Sequence, residues 1–445
     1  MKWEKFILGI FIALAIPTTT ALAERLEYPP EEFLARRELL ARNVDGGLLI
    51  MFSSTLPTPG IRFRQDHDFF YLTGNESLNA VLVMDLSNGD SHLFLPKLSA
   101  SEIKYEGNNW LNETDPARKR GFKTIQSLEE LHNFLAQSRR VSGTEVLWTR
   151  LSEPDFINQS RFDTALKIAR RQSNPFAHYP TEDAARIVTI REQFPYYKLQ
   201  DISPDLDRLR LIKTEREIER LTKNGRISAE AINRAIVATA PGKFEYELEA
   251  EATYWLFKHG LQASAYPAIV GSGPNGNQWH YEDNGRQMKG GELVVMDYGG
   301  ALDYLTIDIT RTWPVSGVFT SAQEKAYRCV LEAQKAMIQA IRPGVTHKEL
   351  RSVGERIYES YGFGKNKSTA FIGHYVGMSV HDVGPWGLPF KAGMVIALEP
   401  LLDLPDDQIH VRIEDTILIT NDGSKVLTST VPKEINDVLK LLNSN

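Results

Sequence analysis

The stretch from Gly291 to Trp313, GELVVMDYGGALDYLTIDITRTW, constrains the fold most because it places two acids on consecutive predicted strands. An apolar run predicts a short strand that ends on Asp297, and two glycines follow as turn residues. The next strand is predicted from Tyr304 to Trp313, where Asp308 shares its face with hydroxyl side chains. If these strands pair as a hairpin, both carboxylates reach one pocket, where a bound cation would offset their repulsion. A polar hairpin whose acids meet solvent or an arginine is the alternative.

The first 23 residues have the order of a secretory signal peptide. Two lysines are followed by a short apolar run and then by Ala21-Leu22-Ala23, which predicts cleavage before Glu24. The apolar run is too short to span a bilayer comfortably, and an uncleaved anchor is the alternative. Cys329 is the only cysteine, so no intramolecular disulfide can form. We therefore expect a periplasmic or secreted protein with no stable membrane anchor.

Length and composition indicate a soluble protein of two or three domains. The chain has 445 residues, of which 42% are hydrophobic and 24% charged, and its net charge is -6. This charge gives no reason to expect a nucleic acid partner. We predict an α/β domain over residues 28–200 and a second domain over residues 204–440.

Local patterns predict the elements of the first domain. An aromatic and charged run at residues 62–74, RFRQDHDFFYLTG, is typical of a packed edge. Amphipathic periodicity predicts helices at residues 30–43, 128–138 and 162–171, and apolar runs predict strands at residues 48–52, 80–86, 92–95 and 145–148.

The second domain repeats a unit of two helices followed by strands. Capping boxes are predicted at Thr214 with Glu217, at Ser321 with Glu324, and at Thr346 with Glu349. Strands are predicted at residues 266–270, 293–297 and 304–313, and again at 371–380, 394–399 and 411–420. Two such units predict a pseudo-twofold domain in which one curved antiparallel sheet is backed by four helices. A site is expected in the cleft between the halves.

Three further residues that can bind metals lie in the second half. His374 is flanked by glycines, Glu399 ends a predicted strand, and Glu414 lies within one beside Arg412. Each alone is ordinary, since a histidine can be structural and a strand carboxylate is usually paired with a base. With Asp297 and Asp308 they make four carboxylates and one imidazole, which can bind two divalent cations. This ligand chemistry favours manganese over zinc or copper.

The ordered motifs of this domain resemble those of the metallopeptidase family with the pita-bread fold. The motifs are D-Y-G, D-I-T-R-T, G-H-Y-V-G-M-S-V-H-D, A-L-E-P and R-I-E-D. The family includes aminopeptidase P, prolidase and methionine aminopeptidase. The N-terminal run FRQDHDFFYLTG is similar to aminopeptidase P and less so to prolidase, whereas methionine aminopeptidase lacks such a domain. The resemblance implies a small creatinase-like N-terminal α/β domain and a C-terminal pita-bread α+β domain.

The resemblance also implies the functional residues. Glu399 is the expected proton acceptor, His280 and His381 contact the substrate without binding metal, and Arg412 supports the ligands. Two divalent ions are implied, with manganese favoured and zinc or cobalt as alternatives. The implied metal ligands are Asp297, Asp308, His374, Glu399 and Glu414.

The leading hypothesis is an Xaa-Pro aminopeptidase that acts on peptides with proline in second position and forms a dimer or tetramer. Tyr266, Trp279, His280 and His381 are candidates for contact with the proline ring. An Xaa-Pro dipeptidase, a metal-free creatinase-like enzyme and a non-catalytic binding module are the alternatives.

Overall fold

The computed structural model describes residues 28–57, 62–364, 368–369 and 373–444. The predicted signal peptide, residues 1–23, lies outside the described residues. In the part of the chain that is described, no helix is both long and apolar enough to cross a membrane. The domain limits at residues 28–200 and 204–440 stay predictions.

The N-terminal domain is built on a mixed six-stranded sheet with the order β4-β3-β2-β1-β5-β6. Strands β1, β2 and β3 pair antiparallel, whereas β4, β5 and β6 join by parallel pairing. The predicted strands and helices all occur, with ends shifted by up to a few residues. The strands are β1 (Leu48–Phe52), β2 (Val81–Asp85), β3 (Ser91–Leu95), β4 (Thr124–Ser127), β5 (Val146–Thr149) and β6 (Lys198–Asp201), and the helices are α1 (Pro30–Asn43), α2 (His67–Thr73), α3 (Ala100–Glu106), α4 (Pro116–Lys119), α5 (Leu131–Ser142), α6 (Arg161–Gln172), α7 (Glu182–Gln193) and α8 (Ser203–Leu211).

The aromatic run at residues 62–74 packs against the C-terminal domain. All residues of α2 are buried, as the packed-edge prediction requires. The Phe70 ring stacks on the Tyr304 ring with centroids 3.6 Å apart. Arg64 Nη2 donates to the backbone oxygens of Tyr304 and Met378, at 2.8 and 2.7 Å. This run therefore joins the two domains through contacts that composition alone did not reveal.

The C-terminal domain has two similar halves in which helix pairs cover short antiparallel sheets. Helix α9 packs on α10, and α11 packs on α12. The predicted sheet is divided into four three-stranded sheets, ordered β11-β10-β7, β12-β9-β8, β13-β15-β16 and β14-β17-β18. The helices are α9 (Glu215–Ala238), α10 (Glu245–Lys258), α11 (Ser321–Ala340), α12 (His347–Ser360) and α13 (Ile435–Leu442), and the strands are β7 (Ala263–Ser264), β8 (Ile269–Ser272), β9 (Leu293–Asp297), β10 (Gly300–Leu302), β11 (Leu305–Thr306), β12 (Thr310–Pro314), β13 (Ser368–Thr369), β14 (Val395–Leu398), β15 (Leu401–Leu404), β16 (Ile409–Arg412), β17 (Asp415–Ile419) and β18 (Ser424–Val426).

Three predicted strands are wrong as continuous elements. Residues 304–313 form β11 and β12 with a break at Asp308, and residues 411–420 are interrupted at Glu414. Residues 371–372 of the predicted strand at 371–380 lie outside the described residues, and its described part contains only an isolated bridge from Tyr375 to Ile396. At Asp308 and Glu414, hydrogen bonds to the other half replace a local ladder, which periodicity cannot indicate.

One predicted helix cap is shifted by one residue. The capping box of α11 is formed by Thr320 and Gln323, not by Ser321 and Glu324. Both pairs fit the same sequence pattern, because a threonine and a serine are adjacent and each precedes a suitable residue by three positions. The caps at Thr214 and Thr346 are confirmed. Helix α13 was not predicted.

Candidate metal centre and active site

Asp308 lies at the seam between the two halves of the C-terminal domain. Its backbone N–H donates to Thr416 Oγ1 at 3.0 Å, and that hydroxyl donates to the backbone oxygen of Asp308 at 2.7 Å. These reciprocal bonds take the place of hairpin pairing at this residue, so the strand breaks there. The break holds the buried Asp308 carboxylate between the halves.

Glu414 occupies the matching position in the second half. Its backbone N–H donates to the Thr310 oxygen at 3.0 Å, and Thr310 Oγ1 donates to Glu414 Oε2 at 2.6 Å. Thr310 is the register partner of Asp297 across β9 and β12. Thr310, which the sequence placed on the face of Asp308, therefore links Asp297 to Glu414, and Thr416 bonds to Asp308 in the same polar seam.

His374 completes the cluster and is oriented by the backbone. Its Nδ1 lies 3.0 Å from the Tyr375 oxygen, which places the proton on Nδ1 and leaves Nε2 as the free nitrogen. Nε2 lies 3.3 Å from Asp308 Oδ2 and 3.5 Å from Glu399 Oε1. A histidine held in this way is suited to metal binding through Nε2.

Tyr266 and Arg412 hold the Asp297 carboxylate in place. The Tyr266 hydroxyl lies 2.6 Å from Asp297 Oδ1 and 2.5 Å from Asp308 Oδ1, so one phenol contacts both acids. Arg412 Nη2 donates to Asp297 Oδ2 at 2.8 Å, and its side chain is buried. The structure thus places Arg412 behind Asp297 as a positioning residue. It also assigns the Tyr266 hydroxyl to the acids, a contact that the sequence did not predict.

The electrostatics of the cluster are dominated by burial and mutual repulsion. Burial and repulsion from Asp308 raise the pKa of Glu399 to about 7 against the opposing charge of Arg412. Burial raises the pKa of Asp297 to about 7 as well, although Arg412 opposes this shift. Burial and the neighbouring carboxylates raise the pKa of Glu414 well above its ordinary value. Four acids this close would be relieved by a divalent cation among them.

The residues present fit a metal centre. Asp308, His374 and Glu414 offer ligand atoms that all lie within 4.8 Å of one another. Glu414 Oε1 is buried and has no hydrogen-bond partner among the described residues, so it is available to an ion. Four carboxylates and one imidazole are a hard, oxygen-rich ligand set of the kind that suits divalent cations.

The two predicted non-ligand histidines lie beside this cluster. The His381 ring is 4.2 Å from the His374 ring at an interplanar angle of 64°. His280 is on the exposed loop that follows β8, and partial burial together with the charges of Arg412 and His381 lowers its pKa. Trp279, which precedes it, is 38% exposed and hydrogen-bonds to Asp403.

Comparison with known proteins gives the family. The model of Metallopeptidase family M24 matches residues 219–421, and that of the Aminopeptidase P, N-terminal domain matches residues 33–148. The Xaa-Pro aminopeptidase of Haemophilus influenzae is 30% identical across 95% of this chain and 99% of its own length. This chain belongs to metallopeptidase family M24. All five predicted ligands fall within the M24 match.

Solved structures and further relatives agree with this family. The structure of Escherichia coli aminopeptidase P with the inhibitor Pro-Leu superposes with a TM-score of 0.80 and 28% identity, covering 94% of this chain and 98% of that one. The Xaa-Pro dipeptidase of Pyrococcus furiosus is 37% identical but covers only 53% of this chain and 67% of its own. The two-domain fold and the family resemblance are therefore confirmed.

Membership in family M24 implies divalent metal ions and sets aside the non-catalytic alternative. The residues of the site disfavour a metal-free creatinase-like enzyme, because all five ligand positions carry residues that can bind metal and lie together. Sequence reasoning missed one neighbour of the site, Asp163, whose Oδ2 lies 3.4 Å from His381 Nδ1. The pattern Ser160 to Asp163 identifies a helix cap, but no local signal connects it to a histidine more than two hundred residues away.

Proposed function

We propose that this chain is a metal-dependent Xaa-Pro aminopeptidase, which removes the N-terminal residue from peptides with proline in second position. One observation carries the proposal: a buried cluster of four carboxylates and one imidazole lies at the seam of an M24 domain. The full-length similarity to an Xaa-Pro aminopeptidase, including the N-terminal domain, supports this substrate class.

The proposed ligands are Asp297, Asp308, His374, Glu399 and Glu414. When bound, divalent cations supply Lewis-acid polarisation of the scissile carbonyl and lower the pKa of water. Glu399 is proposed as the proton acceptor, because its buried carboxylate lies beside His374 and among the other proposed ligands. We propose manganese as the native metal from the oxygen-rich ligand set, with zinc and cobalt as alternatives.

The protein's own side chains then orient the substrate and stabilise developing charge. His280 is proposed to donate a hydrogen bond to the oxyanion that forms at the scissile carbonyl, and His381 is proposed to orient the substrate through Nε2. Arg412 keeps the Asp297 carboxylate in place through the 2.8 Å bond from Nη2. Trp279, exposed beside His280, is proposed to contact the proline ring.

An Xaa-Pro dipeptidase is the second candidate, and the similarity to the Pyrococcus furiosus dipeptidase favours it. A dipeptidase must bind the substrate's C-terminal carboxylate close to the metals, normally with an arginine. Arg412, the arginine among the proposed site residues, is already engaged by Asp297. This arrangement favours an aminopeptidase that leaves the direction of the peptide C-terminus open.

Substrate length and the second residue separate these candidates. We expect the metal-loaded protein to hydrolyse Xaa-Pro peptides of three or more residues faster than Xaa-Pro dipeptides. Replacing proline by alanine is expected to lower kcat/KM, because recognition of a tertiary amide depends on the ring and not on an N–H donor. Steady-state assays on a matched peptide series measure both effects. Activity confined to dipeptides would make the protein a dipeptidase, and equal turnover of the alanine peptides would rule out a proline-dedicated pocket.

We also propose that the chain is exported to the periplasm or medium and assembles as a dimer or tetramer. The export proposal rests on Ala21-Leu22-Ala23 after the apolar run. The mature protein purified from its native host is expected to begin at Glu24, which N-terminal sequencing measures. A soluble cytoplasmic protein that starts at Met1 would contradict export.

A further inference from the structure

We propose that Asp163, which lies in the N-terminal domain, is a positioning residue for His381 in the catalytic domain. The inference rests on the proposed function, in which His381 orients the substrate through Nε2. It gives the N-terminal domain a part in positioning a histidine of the site, beyond packing against the C-terminal domain.

The contact joins the first turn of α6 to the segment after the metal-binding His374. Asp163 Oδ2 lies 3.4 Å from His381 Nδ1. The same oxygen accepts hydrogen bonds from the backbone N–H and the hydroxyl of Ser160, at 3.1 and 2.8 Å. The capping box therefore holds the carboxylate in one orientation, facing the imidazole.

Hydrogen bonds on both sides of His381 keep this geometry in place. Ser379 Oγ donates to the Phe156 oxygen at 2.6 Å, and the Val380 N–H donates to the Ile157 oxygen at 2.8 Å. Asp382, the next residue after His381, accepts from Arg210 at 2.7 Å and is buried. The segment just before α6 is hydrogen-bonded to the segment just before His381. These bonds hold the side chains of Asp163 and His381 close to each other.

A carboxylate at Nδ1 determines what the other ring nitrogen can do. Hydrogen bonding to His381 and Ser160 keeps the pKa of Asp163 below its ordinary value, so the carboxylate is ionised. The ionised Asp163 carboxylate favours the tautomer of His381 that carries its proton on Nδ1. Nε2 is then free to accept a hydrogen bond from the substrate. In His374 the acceptor at Nδ1 is a backbone oxygen, whereas in His381 it is a carboxylate of the other domain.

Kinetics of matched variants provide the first test. Asp163→Ala is expected to lower kcat by roughly tenfold to a hundredfold with little change in KM, as is typical when the partner of a functional histidine is lost. Asp163→Asn keeps an oxygen for the helix cap but loses the charge, and a similar loss is expected. Glu102→Ala is the control: Glu102 is an exposed acid at the same capping-box position in α3, where its carboxylate accepts from the Ser99 N–H, so kcat should stay within about twofold of wild type.

A double variant separates positioning from a structural effect. If Asp163 acts through His381, adding Asp163→Ala to His381→Ala should lower kcat no further than His381→Ala alone. Fully additive losses would overturn the proposal, as would wild-type kcat in Asp163→Ala.

The second test needs no substrate and is independent of the proposed function. In zinc-loaded protein, the ¹⁵N chemical shifts of His381 report which ring nitrogen carries the proton, and the signal among the ten histidines is assigned by its loss in His381→Ala. We expect the proton on Nδ1 in wild type and in Glu102→Ala, and a shift toward Nε2 in Asp163→Asn. An unchanged spectrum in Asp163→Asn would overturn the inference even if Xaa-Pro peptides are cleaved, whereas the expected spectra without peptide cleavage would reject only the proposed function.

Discussion

Replacing Asp308 with alanine is expected to abolish most activity and to remove metal from the protein. Asp308 Oδ1 contacts the Tyr266 hydroxyl and Oδ2 lies 3.3 Å from His374 Nε2, so its two oxygens face two sides of the cluster. Loss of this carboxylate removes one of the five proposed metal ligands. Activity should fall by more than about 100-fold, which exceeds the usual loss when a group that only supports a ligand is removed.

Metal analysis of the purified variants measures this prediction beside steady-state activity. Glu414→Ala should behave in the same way, because Glu414 is the equivalent acid of the second half. Asp407→Ala is the control, since Asp407 is an exposed acid on the turn before β16 and should change neither metal content nor activity. Full metal occupancy and wild-type activity in Asp308→Ala would contradict the assignment of the centre.

Replacing Arg210 with methionine is expected to cause the largest loss of stability. The buried guanidinium donates to Asp68 at 2.9 Å, to Asp155 at 2.9 and 2.7 Å, and to Asp382 at 2.7 Å. Burial alone would lower the pKa of Arg210. Attraction to these carboxylates is the larger effect, so the pKa of Arg210 is well above its ordinary value. Removing one partner of a buried ion network leaves uncompensated charges, which costs about 3–5 kcal/mol.

Urea unfolding of Arg210→Met measures this cost. Arg208→Met, on the same helix, is the control because Arg208 is exposed and, among the described residues, its ion pair is with Asp205. Exposed pairs contribute about 0–1 kcal/mol, so the control should unfold close to wild type. Equal stability of the two variants would show that the buried network does not hold the domains together.

Features with a local physical cause could be predicted from the sequence. The capped helices α9 and α12 begin where the pattern places them, because a cap depends only on residues three positions apart. Strand β9 ends on Asp297 as its apolar run indicates. The choice between Thr320 and Ser321 as the cap of α11 was beyond this reasoning, since both satisfy the same local rule.

Features that depend on contacts between distant segments could not be predicted. The breaks at Asp308 and Glu414 arise from bonds to Thr416 and Thr310 across the seam, and a strand pattern contains no information about them. The motifs identified the acids of the site, but not the Tyr266 hydroxyl that contacts two of them. The contact of Asp163 with His381 crosses a domain boundary. In the sequence, Asp163 shows only the local pattern of a capping box.

Product analysis of one peptide tests the central claim most directly. The manganese-loaded protein is incubated with Ala-Pro-Ala, with and without a chelator, and the products are quantified by mass spectrometry. The account predicts free alanine and Pro-Ala in equal amounts, formed only when metal is present. Release of Ala-Pro, cleavage that the chelator does not stop, or no cleavage by the metal-loaded protein would contradict it.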